Sequence, residues 1–288
     1  MADKTTAASA FEVPAFWRGD GVLAALVLAY CRTPVRFRGK GRIYQWMCGL
    51  LFRGDLPLRS VNGIRFRLQA DDFLAHKIAF EGNYEHKSIA LAARLLEGGG
   101  VFLDVGCNVG LYTLPLGLMT GVNVIAVDAS AAALTRLNQN LAMNRGAHVE
   151  VVSCALDAGN SLQAFEVPTA SNLASTRVVQ DEGARALRFW TASMTLDSVL
   201  QRLAPGKVRL LKIDVEGYEL QVFRGLNFEG PYRPENIIVE CIPGFTDAEK
   251  CFDFIKGKGY EPLTVEGKPV GGLTELPEHN VWFRSRLP

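Results

Sequence analysis

The chain has 288 residues, 48% of them hydrophobic, and a formal charge of +1. That is enough to bury a full α/β core with one extension, and too little charge for a global field that would gather nucleic acid. The charge is uneven: residues 1–67 hold eleven Lys/Arg against four Asp/Glu, and the remainder 20 against 26.

Residues 1–60 read as a basic N-terminal arm, partly helical. Residues 1–15 are small and polar, with Pro14, and a loose arm is expected there. Residues 22–31 are an apolar run of ten, against the ~20 that a membrane-spanning helix needs. The flanks of a secretory signal are missing, so neither span nor export is expected. Arg32, Arg36, Arg38, Lys40 and Arg42 follow, and then Ile43, Trp46, Met47, Leu50 and Leu51 recur at helical spacing. Such a stripe is usually core, which predicts an arm packed across the next domain with its arginines in water. The same pattern suits a weak contact with a membrane surface, peripheral at its inner face.

A second domain is expected over 61–288, with a hairpin and helices at 61–99 and a cofactor-binding core at 100–288. Asn62-Gly63 followed by apolar/basic alternation predicts the hairpin. Residues 73–97 read as helix, broken by Gly82 and Asn83 into two, and Gly98-Gly99-Gly100 ends them.

Residues 101–113 then read V-F-L-D-V-G-C-N-V-G-L-Y-T, a strand ending in an acid, a turn with glycine at both ends, and a helix start. Gly106 and Gly110 would let backbone approach a ligand, and free N–H groups at the helix start suit an anion. A dinucleotide fingerprint needs glycine where Asn108 stands, and no Gly-Lys-Ser/Thr follows for a P-loop. A second β-branched run ends in Asp128, twenty-two residues after Gly106. An acid there is placed to grip a ribose diol.

A helix with Leu134, Leu137 and Leu141 on one face, and Asn138, Asn140 and Asn144 along it, leads to a third strand at 148–154. Asp157 beyond it is a candidate for the adenine amino group, or simply a turn acid. Residues 158–190 show no helical period and suggest a substrate loop or lid, centred on 171–176. Thr195 caps a short helix, and residues 208–214 form a buried strand leading to Asp214, Glu216 and Glu219, three acids in six residues at the same crevice. A strand at 236–241 carrying Glu240, a helix at 246–257 and strands near 260–265 and 279–284 complete the pattern.

These motifs resemble the FkbM family of S-adenosylmethionine-dependent methyltransferases: Tyr84-Glu85, D-V-G-C-N-V-G-L-Y-T at 104–113, Thr195-Leu196-Asp197, K-I-D-V-E-G-Y-E at 212–219 and the strand ending in Glu240, in that order. The resemblance covers roughly 61–285 and implies an α/β, Rossmann-like class I methyltransferase fold: a seven-stranded, mostly parallel sheet with helices on both faces and a reversed last strand. It implies S-adenosyl-L-methionine as cofactor, held by Glu85, Asp104, Gly106, Asn108, Gly110, Thr113, Asp128, Ala155 and Asp157. It implies O-methylation of a small-molecule, sugar or glycolipid acceptor. Asp128-Ala129 stands where relatives often have Glu-Pro, Cys107 replaces alanine, and Pro115 falls inside the predicted first helix, where it should kink it.

An alcohol attacking an activated methyl needs alignment and a base. Asp214 is the first candidate base, Glu216 an orienting acid and His86 a second base. A nucleotide-linked dehydrogenase and a non-catalytic cofactor-binding scaffold are the alternatives. No metal site is expected, since the four histidines lack ligand spacing. Nor is a nucleic-acid partner. Six cysteines without a C-x-x-C point to a reduced, cytoplasmic compartment.

Overall fold

The computed structural model describes residues 17–167, 177–178, 187–242, 247–277 and 279–287. The expected arm at 1–15 and the segment 171–176 lie outside them. In chain order the elements are β1 (Trp17–Gly19), α1 (Val22–Cys31), α2 (Lys40–Phe52), β2 (Asp55–Ser60), β3 (Arg65–Gln69), α3 (Phe73–Glu81), α4 (His86–Leu95), β4 (Gly100–Val105), α5 (Thr113–Gly117), β5 (Val122–Asp128), α6 (Ala131–Met143) and β6 (Val149–Ser153). There follow β7 (Ala155–Leu156), β8 (Ser161–Val167), β9 (Arg177–Val178), β10 (Leu187–Met194), α7 (Leu196–Leu203), β11 (Val208–Ile213), α8 (Glu219–Arg224), β12 (Asn236–Glu240), α9 (Ala248–Gly257), β13 (Tyr260–Leu263) and β14 (Asn280–Ser285).

The expected seven-stranded sheet forms in the order β13-β14-β12-β11-β4-β5-β6, with β14 antiparallel to both its neighbours and the remaining pairs parallel. Its central strands are nearly continuous apolar runs because both faces are covered. Phe102, Val124, Leu210 and Ile238 join a core built with α1 to α6. Leu103, Ile125, Leu211 and Ile237 join a second with α7, α8 and α9. Pro115 leaves α5 only five residues long, a single turn rather than a kinked longer helix.

β1, β2 and β3 form a separate antiparallel sheet, so the division expected at residue 60 falls inside the β2–β3 hairpin. Asn140 of α6 and Asn144 at its C-terminal cap fasten this layer to the main sheet. Asn140 Oδ1 accepts from Arg67 N at 2.9 Å, and Asn144 Oδ1 accepts from Arg65 N at 2.8 Å. Spaced by four residues, the two side chains pair the backbone of β3 as another strand would.

Two expectations need correction. The apolar stripe of α2 was expected to pack inward, yet the helix buries Tyr44 and Cys48 and leaves Ile43, Trp46, Leu50 and Leu51 exposed. α2 is apolar on two sides, and helical spacing alone does not say which faces the protein. The stretch 158–190 was expected as a loop or lid, but its described parts β8, β9 and β10 join β7 in a four-stranded sheet. Among the described residues no helix is long and apolar enough to cross a membrane.

Candidate active site

The loops leaving β4, β5, β11 and β12 line one cavity of about 410 Å³. An open parallel sheet collects ligands there because its connections diverge beyond the carboxyl ends of the strands. Gly106, at φ 74, closes this junction: a Cβ would collide with the backbone carbonyl of Asp214. The glycine therefore lets two loops of the protein meet. The space left by Gly110 is likewise filled by Leu137 of α6.

Beyond β5, both carboxylate oxygens of Asp128 accept backbone N–H groups at 2.8 Å, Oδ2 from Asn108 and Oδ1 from Ser130. Burial nonetheless pushes this carboxyl up to about 6. Each oxygen keeps a lone pair for a ribose hydroxyl. Asp104 is buried in β4; Oδ2 accepts from the Thr113 hydroxyl at 2.6 Å, and Oδ1 has no protein partner. A buried acceptor left open on a cavity wall matches an ammonium group. The apolar side chains of Leu156 and Phe165 offer a surface for a purine. These residues fit S-adenosylmethionine: a diol acceptor, an ammonium acceptor and an apolar slot in one cavity.

A charged cluster completes the wall. Lys212 is buried in β11, with Nζ 3.0 Å from Asp214 Oδ2 and 4.8 Å from the Tyr112 ring centroid. Burial opposes its charge, but Asp214, Asp104 and Glu85 outweigh burial and raise its pKa. Glu85 ends the α3–α4 turn at φ 51; burial raises its pKa and Lys212 opposes the rise. Glu240, at the end of β12, is pushed up to about 8 by burial and then by Asp214 and Glu85. Glu219 is buried rather than a solvated first-turn acid, and its Oε1 accepts from Val215 N and Gly217 N at 3.1 and 3.0 Å, holding the loop that carries Asp214 and Glu216.

Of the expected residues, Glu85, Asp104, Gly106, Asn108, Asp128, Ala155, Asp214 and Glu216 line the cavity, while Gly110, Thr113, Asp157 and His86 do not. Thr113 acts on Asp104. Asp157 accepts from Ala158 N, from the Tyr218 hydroxyl at 3.2 Å and from Gln163, so its carboxylate is already engaged. Lys212, Tyr112 and Tyr84, which stand inside the quoted motifs but were given no role of their own, also line the cavity. The signal for Lys212 was a lysine between Leu211 and Ile213 inside a buried strand. Among the described residues no group of His, Cys, Asp and Glu is placed to hold a metal ion.

The FkbM methyltransferase domain matches residues 104–262, more than half of the chain. The chain belongs to the FkbM methyltransferase family. It is a methyltransferase that uses S-adenosylmethionine, which removes the dehydrogenase and non-catalytic alternatives. A comparison with curated proteins returned no significant match. Solved structures similar to this FkbM chain include an O-methyltransferase from Bacillus cereus in complex with S-adenosylhomocysteine, at 13% identity over 68% of this chain and 78% of that one, TM-score 0.40. An rRNA methylase from Streptococcus thermophilus matches at 13% identity over 70% and 96%, TM-score 0.40. The tRNA (uracil-54, C5)-methyltransferase of Pyrococcus abyssi matches at 17% identity over 80% and 44%, TM-score 0.42.

Proposed function

We propose that this FkbM protein is an O-methyltransferase whose acceptor is the hydroxyl of a small molecule, sugar or glycolipid, with Glu240 as the proton acceptor. The observation that carries the reading is the place of Glu240 on the wall of the cavity that also holds Asp104 and Asp128, where burial, Asp214 and Glu85 push its carboxyl up to about 8. S-adenosylmethionine supplies a methyl group already activated on sulfonium, so the chain must align the hydroxyl and receive its proton.

Asp214 was the first candidate for that task. Taking a proton would cost it the ion pair with Lys212. Glu240 gains instead, because protonation relieves repulsion from Asp214 and Glu85. Asp214 then orients the hydroxyl, and Glu216, exposed at the cavity wall, receives the acceptor. Asp128 holds the ribose diol and Asp104 the ammonium. His86, which does not line the cavity, takes no part in proton transfer in this reading.

Two of the similar structures are RNA methyltransferases. The expectation of a non-nucleic-acid acceptor rests on this chain's near-neutral charge and the carboxylates around its cavity, which repel phosphate. The six free, buried cysteines support a reducing, cytoplasmic setting.

Glu240→Gln should lower kcat by roughly 10²- to 10⁴-fold with little change in calorimetric affinity for S-adenosylmethionine. The rise of kcat/KM toward pH 8 should disappear with it. Asp128→Ala should show the converse, a loss of cofactor affinity of roughly ten- to a hundredfold. Full turnover by Glu240→Gln would remove the base assignment and leave the family intact.

A further inference from the structure

From Gly21 to Gly54 the chain has six basic residues and no acid. The structure folds this stretch into α1, α2 and the loop between them, and turns two kinds of side chain outward. The first kind is large and apolar. On α2, Ile43, Trp46 and Leu50 recur at i, i+3 and i+7, with Trp46 65% and Leu50 68% exposed. On α1, Val22, Leu23 and Leu26 are exposed, while the opposite side packs Ala24, Val27 and Leu28 inward. The second kind is basic: Arg36, Arg38, Arg42 and Arg53 are exposed. In the connecting loop the two alternate as Val35, Arg36, Phe37, Arg38, all outward.

Soluble proteins seldom leave adjoining helices apolar toward water. Here the cost of that exposure is not relieved by packing, since α2 is already anchored through Tyr44, Cys48 and Lys40, whose Nζ donates to the Thr33 carbonyl at 2.8 Å. We propose that α1, α2 and their loop form a docking surface for an anionic lipid bilayer. Tryptophan and aliphatic side chains enter the headgroup boundary, where Trp is favoured, and the arginines meet lipid phosphates. The charge pattern selects this occupant. A second copy of the chain would set the same basic helices against themselves, and the stretch from Gly21 to Gly54 carries no acid of its own to pair. RNA would use interleaved aromatic rings for stacking, whereas the exposed apolar side chains here are mostly aliphatic, with Phe37 and Trp46 beside Val22, Leu23, Leu26, Val35, Ile43, Leu50 and Leu51. The surface is independent of the methyl-transfer chemistry, and its test does not use activity.

Purified full-length protein should co-float with vesicles of phosphatidylcholine and phosphatidylglycerol, and detach at high ionic strength. Binding to vesicles of phosphatidylcholine alone should be weaker by at least about tenfold. The double variant Trp46→Asp/Leu50→Asp changes only exposed positions, so it should keep its melting temperature and its affinity for S-adenosylmethionine while losing flotation. Arg36→Ala/Arg38→Ala/Arg42→Ala should lose the preference for anionic vesicles. Absence of co-flotation at low salt overturns the proposal. So does a dimer in sedimentation that Trp46→Asp/Leu50→Asp dissolves, or binding of single-stranded RNA that out-competes the vesicles.

Discussion

Asn140 links three parts of the molecule at once. Its Oδ1 takes the Arg67 amide and its Nδ2 donates to the Val109 carbonyl at 3.2 Å, tying α6 to β3 and to the loop that follows β4. Its side chain is fully buried, so truncation strands the buried Val109 carbonyl and takes a partner from the Arg67 amide. Asn140→Ala should therefore lower unfolding free energy by about 1–3 kcal/mol per stranded group, read by urea denaturation. The sequence showed three asparagines along this helix without distinguishing them. Asn140 and Asn144 face β3, and the distinction depends on a strand over seventy residues earlier in the chain.

At the scale of elements, the junction of β4 and β11 is set by a glycine that has a backbone neighbour. Gly106 and Gly110 both have positive φ, where L side chains are strained. They differ in what a methyl group would meet. At Gly106 it meets the carbonyl of Asp214, which moves only if β11 and its loop move; at Gly110 it meets the end of the Leu137 side chain, which has other rotamers. Gly106→Ala should destabilise by more than about 1 kcal/mol and more than Gly110→Ala does. Because the displaced loop carries Asp214 and Glu216, Gly106→Ala should also weaken cofactor binding, as calorimetry would measure. The spacing D-x-G-x-x-x-G made both glycines legible. The reason each is glycine lay in partners from α6 and β11.

At the scale of the whole molecule, the cavity gathers carboxylates from the α3–α4 turn, β4, β5, the loop after β11 and β12 around one buried lysine, and their titration couples to folding. Glu240 and Asp128 are raised by burial to about 8 and about 6, against ordinary values of 4.5 and 3.8. The folded chain thus binds these protons more tightly than the unfolded chain. The stability they lend is complete below the unfolded values and is lost as pH rises through the folded ones. The melting temperature of the cofactor-free protein should fall as pH rises from about 4 to about 8, and Glu240→Gln should flatten the part of that fall above about 6.

What the sequence determined by itself was local and periodic. The two acid-ended strands with their glycine turn, the buried β-branched runs, the cap at Thr195 and the reversed final strand follow from patterns of a few residues and from a resemblance those patterns carry. Tertiary structure decided which side of an element faces which neighbour. It turned the stripe of α2 outward, engaged Asp157 with Tyr218, left His86 off the cavity lining and set Lys212 among Asp214, Asp104 and Glu85. The physical reason is common to all four. Helical and strand periods fix the spacing of side chains, but burial and charge pairing depend on groups that the chain brings together from distant positions.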